Sequence, residues 1–392
     1  MKILFTLAHG YPPQGYGGLQ KTTDQLSREL MKKGHRVAVL ASLMHGGRFA
    51  LISRIKLKAN QIFRGHRLSR DTTLGYPVWR TWFPWGRAEY FPEKEIRYVI
   101  GKEKPDLIVV SSGELVHIAL IAKSTGIPIL ISVVDVEFQD HSGSFRELGD
   151  IPCVANSRFT ADKHRDAFGV NPSVIYPLMP LEEYRTETTR ENVTFINPSP
   201  HKGLRIALEI ARRCPEIPFV FNENWPSTAK QREEFARKHN ISSNVVMVPS
   251  QEDMRNVYGK CKILLAPSEW KEGYGRIATE AQVSGIPVVA SARGGLPEAV
   301  GPGGVVLDPD GPIDDWVKVV RKLWQDDEYY SAMSAAALAH ASRLDISFEY
   351  QILAWEGAML AAALPSAPII NRQSRKGSFL RNASKDHWKG LP

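Results

Sequence analysis

The stretch Pro267-Ser268-Glu269-Trp270-Lys271-Glu272-Gly273-Tyr274-Gly275-Arg276-Ile277-Ala278-Thr279-Glu280-Ala281 follows the apolar run Ile263-Leu264-Leu265-Ala266. That run reads as a buried parallel strand, and the apolar spacing from Ile277 to Val283 reads as a helix. The turn between them therefore lies at a strand's carboxyl end. Gly273 and Gly275 lack a Cβ, so the backbone can bend sharply there and come close to a ligand. The first amides of the helix have no intrahelical partners, and with the helix dipole they suit a phosphate. Glu280 falls about one helical turn in, where a carboxylate can accept two ribose hydroxyls. Glu272 stands before the turn, within reach of a transferred sugar.

The span from Glu272 to Glu280 resembles the E-x7-E signature of the retaining glycosyltransferases of family 4, the group 1 glycosyl transferases. Gly285-Ile286-Pro287-Val288-Val289-Ala290 resembles that family's next buried strand, and Gly294-Gly295-Leu296-Pro297-Glu298 its second glycine turn. Two carboxylates at this spacing also occur by chance on a solvated helix face. Here both glycine turns and the intervening strand stand in register. The resemblance covers residues 1 to about 364 and implies the GT-B fold, an α/β architecture of two Rossmann-like domains facing across a cleft, with a last helix crossing back to the first domain.

Composition agrees with that size and class. A chain of 392 residues exceeds what one hydrophobic core usually serves, so two domains are expected. Cys153, Cys214 and Cys261 lie far apart with no metal-ligand spacing, and read as small core residues of a reducing compartment. Met1 to Gly10 reads as a first strand and not a signal peptide, and no run approaches the roughly 20 apolar residues of a membrane span. The expected location is cytoplasmic, with room for peripheral contact at the inner membrane face.

The net charge of +8 has a local source. Arg48, Arg54, Lys56, Lys58, Arg64, Arg67 and Arg70 fall in one stretch without an acidic residue, interleaved with Phe49, Ile52, Ile55, Ile62 and Phe63 at roughly helical spacing. Residues 48–70 therefore read either as a basic amphipathic helix for an anionic membrane surface or lipid-phosphate acceptor, or as an ordinary solvated helix face. No nucleic-acid-binding module is recognisable, so the charge is not assigned to nucleic acid.

Strand and helix patterns alternate along the chain, which predicts parallel sheets with helices on both faces. The proline-bounded segment Tyr176-Pro177-Leu178-Met179-Pro180 is the expected linker. The predicted organisation is an acceptor-binding domain over 1–176, a nucleotide-sugar-binding domain over 177–345, a crossover helix over 346–364 and a basic, flexible tail over 365–392.

Other pieces of the site follow. Gly17 and Gly18, between the first strand and first helix, can offer amides to a phosphate; with Gly15 they have the wrong spacing for a dinucleotide fingerprint. Lys202, before Gly203 and the helix Leu204 to Arg213, can place an ammonium on a pyrophosphate as charge builds on the leaving nucleotide. It resembles the family's Lys-Gly position. The arginine usually paired with it is absent from Asn197-Pro198-Ser199-Pro200-His201, and Arg205 or Arg276 can substitute. The family's histidine at the end of the strand Ile129 to Val134 is absent too; Asp135 stands nearest, either as a sugar ligand or as a cap. His117 and His141 flank it. Trp79, Trp82, Phe83, Trp85 and Tyr90 can stack on sugar rings or simply pack.

The resemblance thus implies a retaining, metal-independent hexosyltransferase acting from a UDP- or GDP-sugar onto a glycan or lipid-linked acceptor, in cell-surface polysaccharide or glycoconjugate synthesis. Glu272, Lys202 and Asp135 are the expected catalytic residues. Gly17, Gly18, Lys202, Gly273, Tyr274, Gly275, Arg276 and Glu280 are the expected donor ligands, with no cofactor or metal. The alternative is a non-catalytic nucleotide-sugar or glycan-binding relative of the same fold. A nucleotide-sugar epimerase would share the architecture and lack the paired glutamates.

Overall fold

The computed structural model describes residues 1–14, 17–43, 47–81, 91–111, 113–223 and 227–364, with the side chains of residues 47 and 48 left aside. Gly15, the side chain of Arg48, Trp82, Phe83, Trp85, Tyr90 and the tail 365–392 lie outside the described residues.

Two sheets carry the fold. The first is eight-stranded, built from β1 (Lys2–Gly10), β2 (Arg36–Ser42), β3 (Leu68–Asp71), β4 (Val78–Thr81), β5 (Leu107–Ser111), β6 (Ile129–Val133), β7 (Cys153–Ala155) and β8 (Ser173–Val174) in the order β3-β4-β2-β1-β5-β6-β7-β8. The second has β9 (Asn192–Ile196), β10 (Phe219–Asn222), β11 (Val245–Val248), β12 (Cys261–Ala266), β13 (Val288–Ser291) and β14 (Gly304–Leu307) in the order β11-β10-β9-β12-β13-β14. Central strands such as Ile3-Leu4-Phe5 and Ile263-Leu264-Leu265 are buried on both faces, which is why they read as unbroken apolar runs.

Among the described residues all strand pairings are parallel except one. The edge strand β3 runs antiparallel to β4, with Leu68 opposite Thr81 and Asp71 opposite Val78. The expectation of wholly parallel sheets is corrected there: Leu68 to Asp71 is too short and polar to read as a strand, and β4 alone gives it a ladder. The basic stretch is also divided. Its helix covers Gly47–Arg64, whereas Arg67 lies beyond it and Arg70 belongs to β3.

The topology decides where ligands gather. In the first sheet the order reverses at β1, flanked by β2 and β5; in the second it reverses between β9 and β12. At such switch points the loops leaving the carboxyl ends splay apart and open a crevice. β1 leads to Gly17-Gly18, β9 to Lys202 and β12 to the Glu272 turn, so all three motifs leave from switch-point strands.

The last helix, Phe348–Ala363, does not pack with the second sheet that precedes it. Ile352, Trp355, Met359 and Ala362 join Ile3, Val37 and Val39 in a core of the first sheet. Burying each large apolar side chain contributes about 1.5–3 kcal/mol, so the helix ties the chain's end to its beginning. Glu356 adds an ion pair to Lys33 at 2.7 Å and a hydrogen bond with His35 at 3.1 Å.

Candidate active site

A cavity of about 1150 Å³ runs between the sheets and is lined from both, by Gly17, Gly18, Lys202, Glu272, Arg276 and Glu280 among others. Glycines make the approach possible. Gly275 caps the helix Arg276–Gln282 with φ 101°, a left-handed conformation that opens the amides of the first turn to the crevice. A Cβ on Gly203, φ 84°, would stand 1.9 Å from the Pro267 carbonyl oxygen, so the Lys202 loop and the Glu272 loop share one packed wall. Gly17 caps Gly18–Lys32 without any side-chain cap, and Gly17, Gly18 and Leu19 line the same space.

Glu272 and Lys202 are direct partners. The Lys202 ammonium donates to Glu272 Oε1, and Ser268 Oγ donates to the same oxygen at 3.0 Å. Ser268 is itself fixed, since Ser291 Oγ donates to its carbonyl at 2.5 Å. The two expected catalytic groups thus neutralise each other across 70 residues of sequence. An incoming phosphate would compete with Glu272 for the ammonium.

Glu280 is buried at 6% exposure and still lines the cavity. Tyr258 Oη donates to its Oε2 at 3.1 Å, and Arg276 Nε to its Oε1 at 3.4 Å. Burial, and then the Glu280 charge, push the Tyr258 phenol well above its ordinary pKa, so it remains a donor to the carboxylate.

Arg276 crosses between the halves. Its Nη1 donates to Thr22 Oγ1 at 2.9 Å and to the Leu178 carbonyl at 3.3 Å, while buried Nη2 has no hydrogen-bond partner among the described residues. A buried guanidinium N–H without an acceptor is costly and suits an anion. Arg205 instead pairs with Glu269 at 3.0 Å and is 70% exposed. Of the two candidates for the missing arginine, Arg276 is therefore the one in the cavity.

The structure places other expected residues differently. Tyr274 borders the cavity, but its ring is buried in a core of the second sheet with Leu264 and Val288, and its hydroxyl lies 3.0 Å from Thr279 Oγ1. Asp135 is not among the lining residues, although Val134 is; its carboxylate lies 3.6 Å from Nε2 of buried His141. His117 Nε2 lies 3.0 Å from the Phe91 carbonyl oxygen. Trp79 is a core residue that donates to Glu103 at 2.6 Å. Tyr258 and Thr22 were not legible as site residues, because each acts through a partner distant in sequence, 22 and 254 residues away; Ser268, four residues before Glu272, carries no periodic signal that marks it. Among the described residues no three His, Cys, Asp or Glu side chains gather as metal ligands.

Two family models match the chain: "Glycosyl transferase 4-like domain" over residues 17–171 and "Glycosyl transferases group 1" over residues 189–340. Among curated relatives, the D-inositol 3-phosphate glycosyltransferase of Corynebacterium urealyticum is 31% identical over 179 residues, 43% of this chain and 41% of that protein. The one from Corynebacterium kroppenstedtii is 42% identical over 94 residues, 24% of this chain and 20% of that protein. The chain thus spans less than half the length of these relatives. Among solved structures, Anabaena HepE in complex with UDP superposes with a TM-score of 0.69 at 18% identity, covering 92% of this chain and all of that one. Sucrose-phosphate synthase from Thermosynechococcus elongatus gives 0.68 at 14% identity, covering 93% of this chain and all of that one.

Proposed function

Because the chain belongs to the group 1 glycosyl transferases and has the GT-B fold, we propose that it transfers a hexosyl group from a UDP- or GDP-sugar to a glycan or lipid-linked acceptor. The observation that carries this reading is the single cavity joining Lys202, Arg276, Glu280 and Glu272. Glu280 takes the ribose hydroxyls. Arg276 Nη2 and the first amides of the helix Arg276–Gln282 hold the diphosphate. Lys202 leaves Glu272 for the phosphate as negative charge builds on the departing nucleotide. Glu272, released from the ion pair, orients the transferred sugar. The acceptor attacks from the face the phosphate leaves, its proton passes to the leaving phosphate oxygen, and configuration is retained. Lys202, Arg276 and the helix terminus supply the positive charge that a metal supplies elsewhere, so no metal is invoked. Asp135, next to Val134, is assigned a hydroxyl on the sugar side once it turns from His141.

Glu280→Ala should weaken UDP or GDP binding by about tenfold or more, since a charge-assisted pair of hydrogen bonds is worth about 1.5–3 kcal/mol. Isothermal calorimetry against a set of nucleotides measures this and identifies the base. Unchanged affinity would overturn the donor assignment. Nucleotide binding without turnover of any donor, in both wild type and Glu272→Ala, would favour the non-catalytic relative.

The acceptor side is assigned to a lipid-linked substrate at an anionic membrane, on the strength of the helix Gly47–Arg64. At about 100° per residue, Leu51, Ile62, Ile55, Ile52 and Phe63 fall within an arc of about 120°. All five are exposed, from 56% for Ile52 to 84% for Phe63. Buried Ala50, Ser53 and Leu57 occupy the opposite side, and exposed Lys56 and Lys58 flank the arc on either edge. An apolar stripe bordered by ammonium groups matches the boundary of an anionic bilayer. Among the described residues no helix is long and apolar enough to cross a membrane. Wild type is expected to sediment with phosphatidylglycerol vesicles, less so as salt rises, and the triple variant Ile52→Ser, Ile55→Ser, Phe63→Ser to remain in the supernatant. Wild type left in the supernatant at low salt would return the helix to a solvated face.

A further inference from the structure

Two loops of the second sheet press onto one helix of the first. The helix Arg158–Phe168 begins at Ser157, whose Oγ accepts from the Thr160 amide at 3.0 Å and donates to the Gly273 carbonyl at 2.5 Å. The two preceding helix amides have no partner inside the helix. They go instead to a carboxylate from across the crevice: Arg158 N donates to Glu298 Oε2 at 2.9 Å, and Phe159 N to the same oxygen at 3.5 Å. Tyr176 Oη donates to Glu298 Oε1 at 2.6 Å. A carboxylate at a helix N-terminus is favoured by the free amides and by the dipole. Here acid and helix belong to different sheets, so the interaction acts between the halves.

Glu298 is rigidly joined to the Glu272 turn. It sits on the short helix Leu296–Val300, directly after Gly294-Gly295. The Gly295 amide donates to the Glu272 carbonyl at 2.7 Å, and a Cβ on Gly294 would stand 2.1 Å from that same oxygen. Leu296 closes over Gly275, where a Cβ would come within 2.6 Å of its Cδ2. A displacement of Glu298 is therefore carried into the backbone of residues 272–275, with no soft side chain between.

On the proposed reading that Glu272 faces the transferred sugar, we infer that Glu298 is a positioning residue. By gripping the start of Arg158–Phe168, it holds the Glu272 turn against the first half and sets the crevice width at which donor and acceptor meet. It touches neither substrate. Its effect reaches the reaction through Gly295 and Glu272.

Hydrogen exchange on the full chain without nucleotide tests this. In Glu298→Ala, exchange at the Arg158 and Phe159 amides should rise at least about tenfold, and residues 270–275 should rise with them, while β9 and β10 keep their protection. A rise confined to residues 158–160 would reduce Glu298 to a helix cap and overturn the inference. Should the variant lose protection throughout the second sheet, Tyr176→Phe, which removes one bond to the same carboxylate, decides instead: a smaller rise at both places supports the grip, and none at 270–275 overturns it. These readouts need no activity, so they stand or fall apart from the enzymatic reading. Where transfer is measured, Glu298→Ala should lower kcat with the donor KM and UDP affinity nearly unchanged; an equal loss of UDP affinity would overturn positioning.

Discussion

Lys202→Ala is expected to lower the rate of sugar transfer by about a hundredfold or more while nucleotide affinity changes only a few-fold, the pattern left when a donor aimed at developing charge is removed. In the proposed donor complex the ground-state diphosphate would be shared among Arg276, the amides after Gly275 and Lys202, with the nucleoside on Glu280, so losing one partner would be tolerated. In the transition state the charge concentrates on the leaving phosphate, and the ammonium beside it is worth more. The ion pair with Glu272 complicates the variant, because removing Lys202 leaves that carboxylate, among the described residues, with Ser268 as its side-chain donor. The double variant Lys202→Ala, Glu272→Gln separates the two effects. If Lys202 served only to neutralise Glu272, the amide would restore transfer toward the level of Glu272→Gln alone; if it serves the phosphate, the double variant stays at least as slow as Lys202→Ala. Single-turnover transfer and nucleotide calorimetry supply both quantities. Equal losses in binding and in rate would return Lys202 to plain ground-state binding.

The parts of this site that were legible in the sequence are those encoded by local spacing. Glu280 one turn into a helix, Gly275 at its start and Lys202-Gly203 before another helix each follow from periodicity and from what a backbone without Cβ allows. Contacts between the loops were not legible, because spacing carries no record of which loop another will face. Lys202 and Glu272 are 70 residues apart, Arg276 and Thr22 254 apart, and Arg158 and Glu298 140 apart. The same holds for surfaces. Helical spacing in residues 48–70 identified an amphipathic helix; only the fold shows that Ala50, Ser53 and Leu57 take the buried side and leave Ile52, Ile55 and Phe63 outside. The short strand β3 was missed for a related reason, since Leu68 to Asp71 acquires its ladder from β4 and carries no periodic signal of its own. Tyr274 does both things at once: it borders the cavity, as its place in the motif suggests, while its ring fills the core behind the turn.

Gly273→Ala should abolish most transfer while leaving each half folded, because the added methyl collides only across the crevice. A Cβ there would stand 2.1 Å from the Val134 carbonyl oxygen and 2.8 Å from Asn156 Nδ2, both in the first half. The conformation of Gly273 is not among those with positive φ, so alanine fits its own backbone. What it cannot fit is the contact that brings Glu272 against the end of β6. Neither neighbour moves freely, since Asn156 Nδ2 donates to the same Val134 carbonyl at 2.9 Å. The halves must separate by an ångström or so, and misplacement on that scale costs about a hundredfold in rate. Gly275→Ala is the contrast. At φ 101°, with Leu296 packed on it, alanine there strains the second half itself and costs about 1–3 kcal/mol of stability. Calorimetric melting should therefore fall for Gly275→Ala and scarcely for Gly273→Ala, whereas nucleotide affinity should survive in Gly273→Ala and weaken in Gly275→Ala, where the amides themselves move. Wild-type transfer by Gly273→Ala would mean that the halves work farther apart than they stand here, and that Glu272 meets the sugar without Val134 at its back.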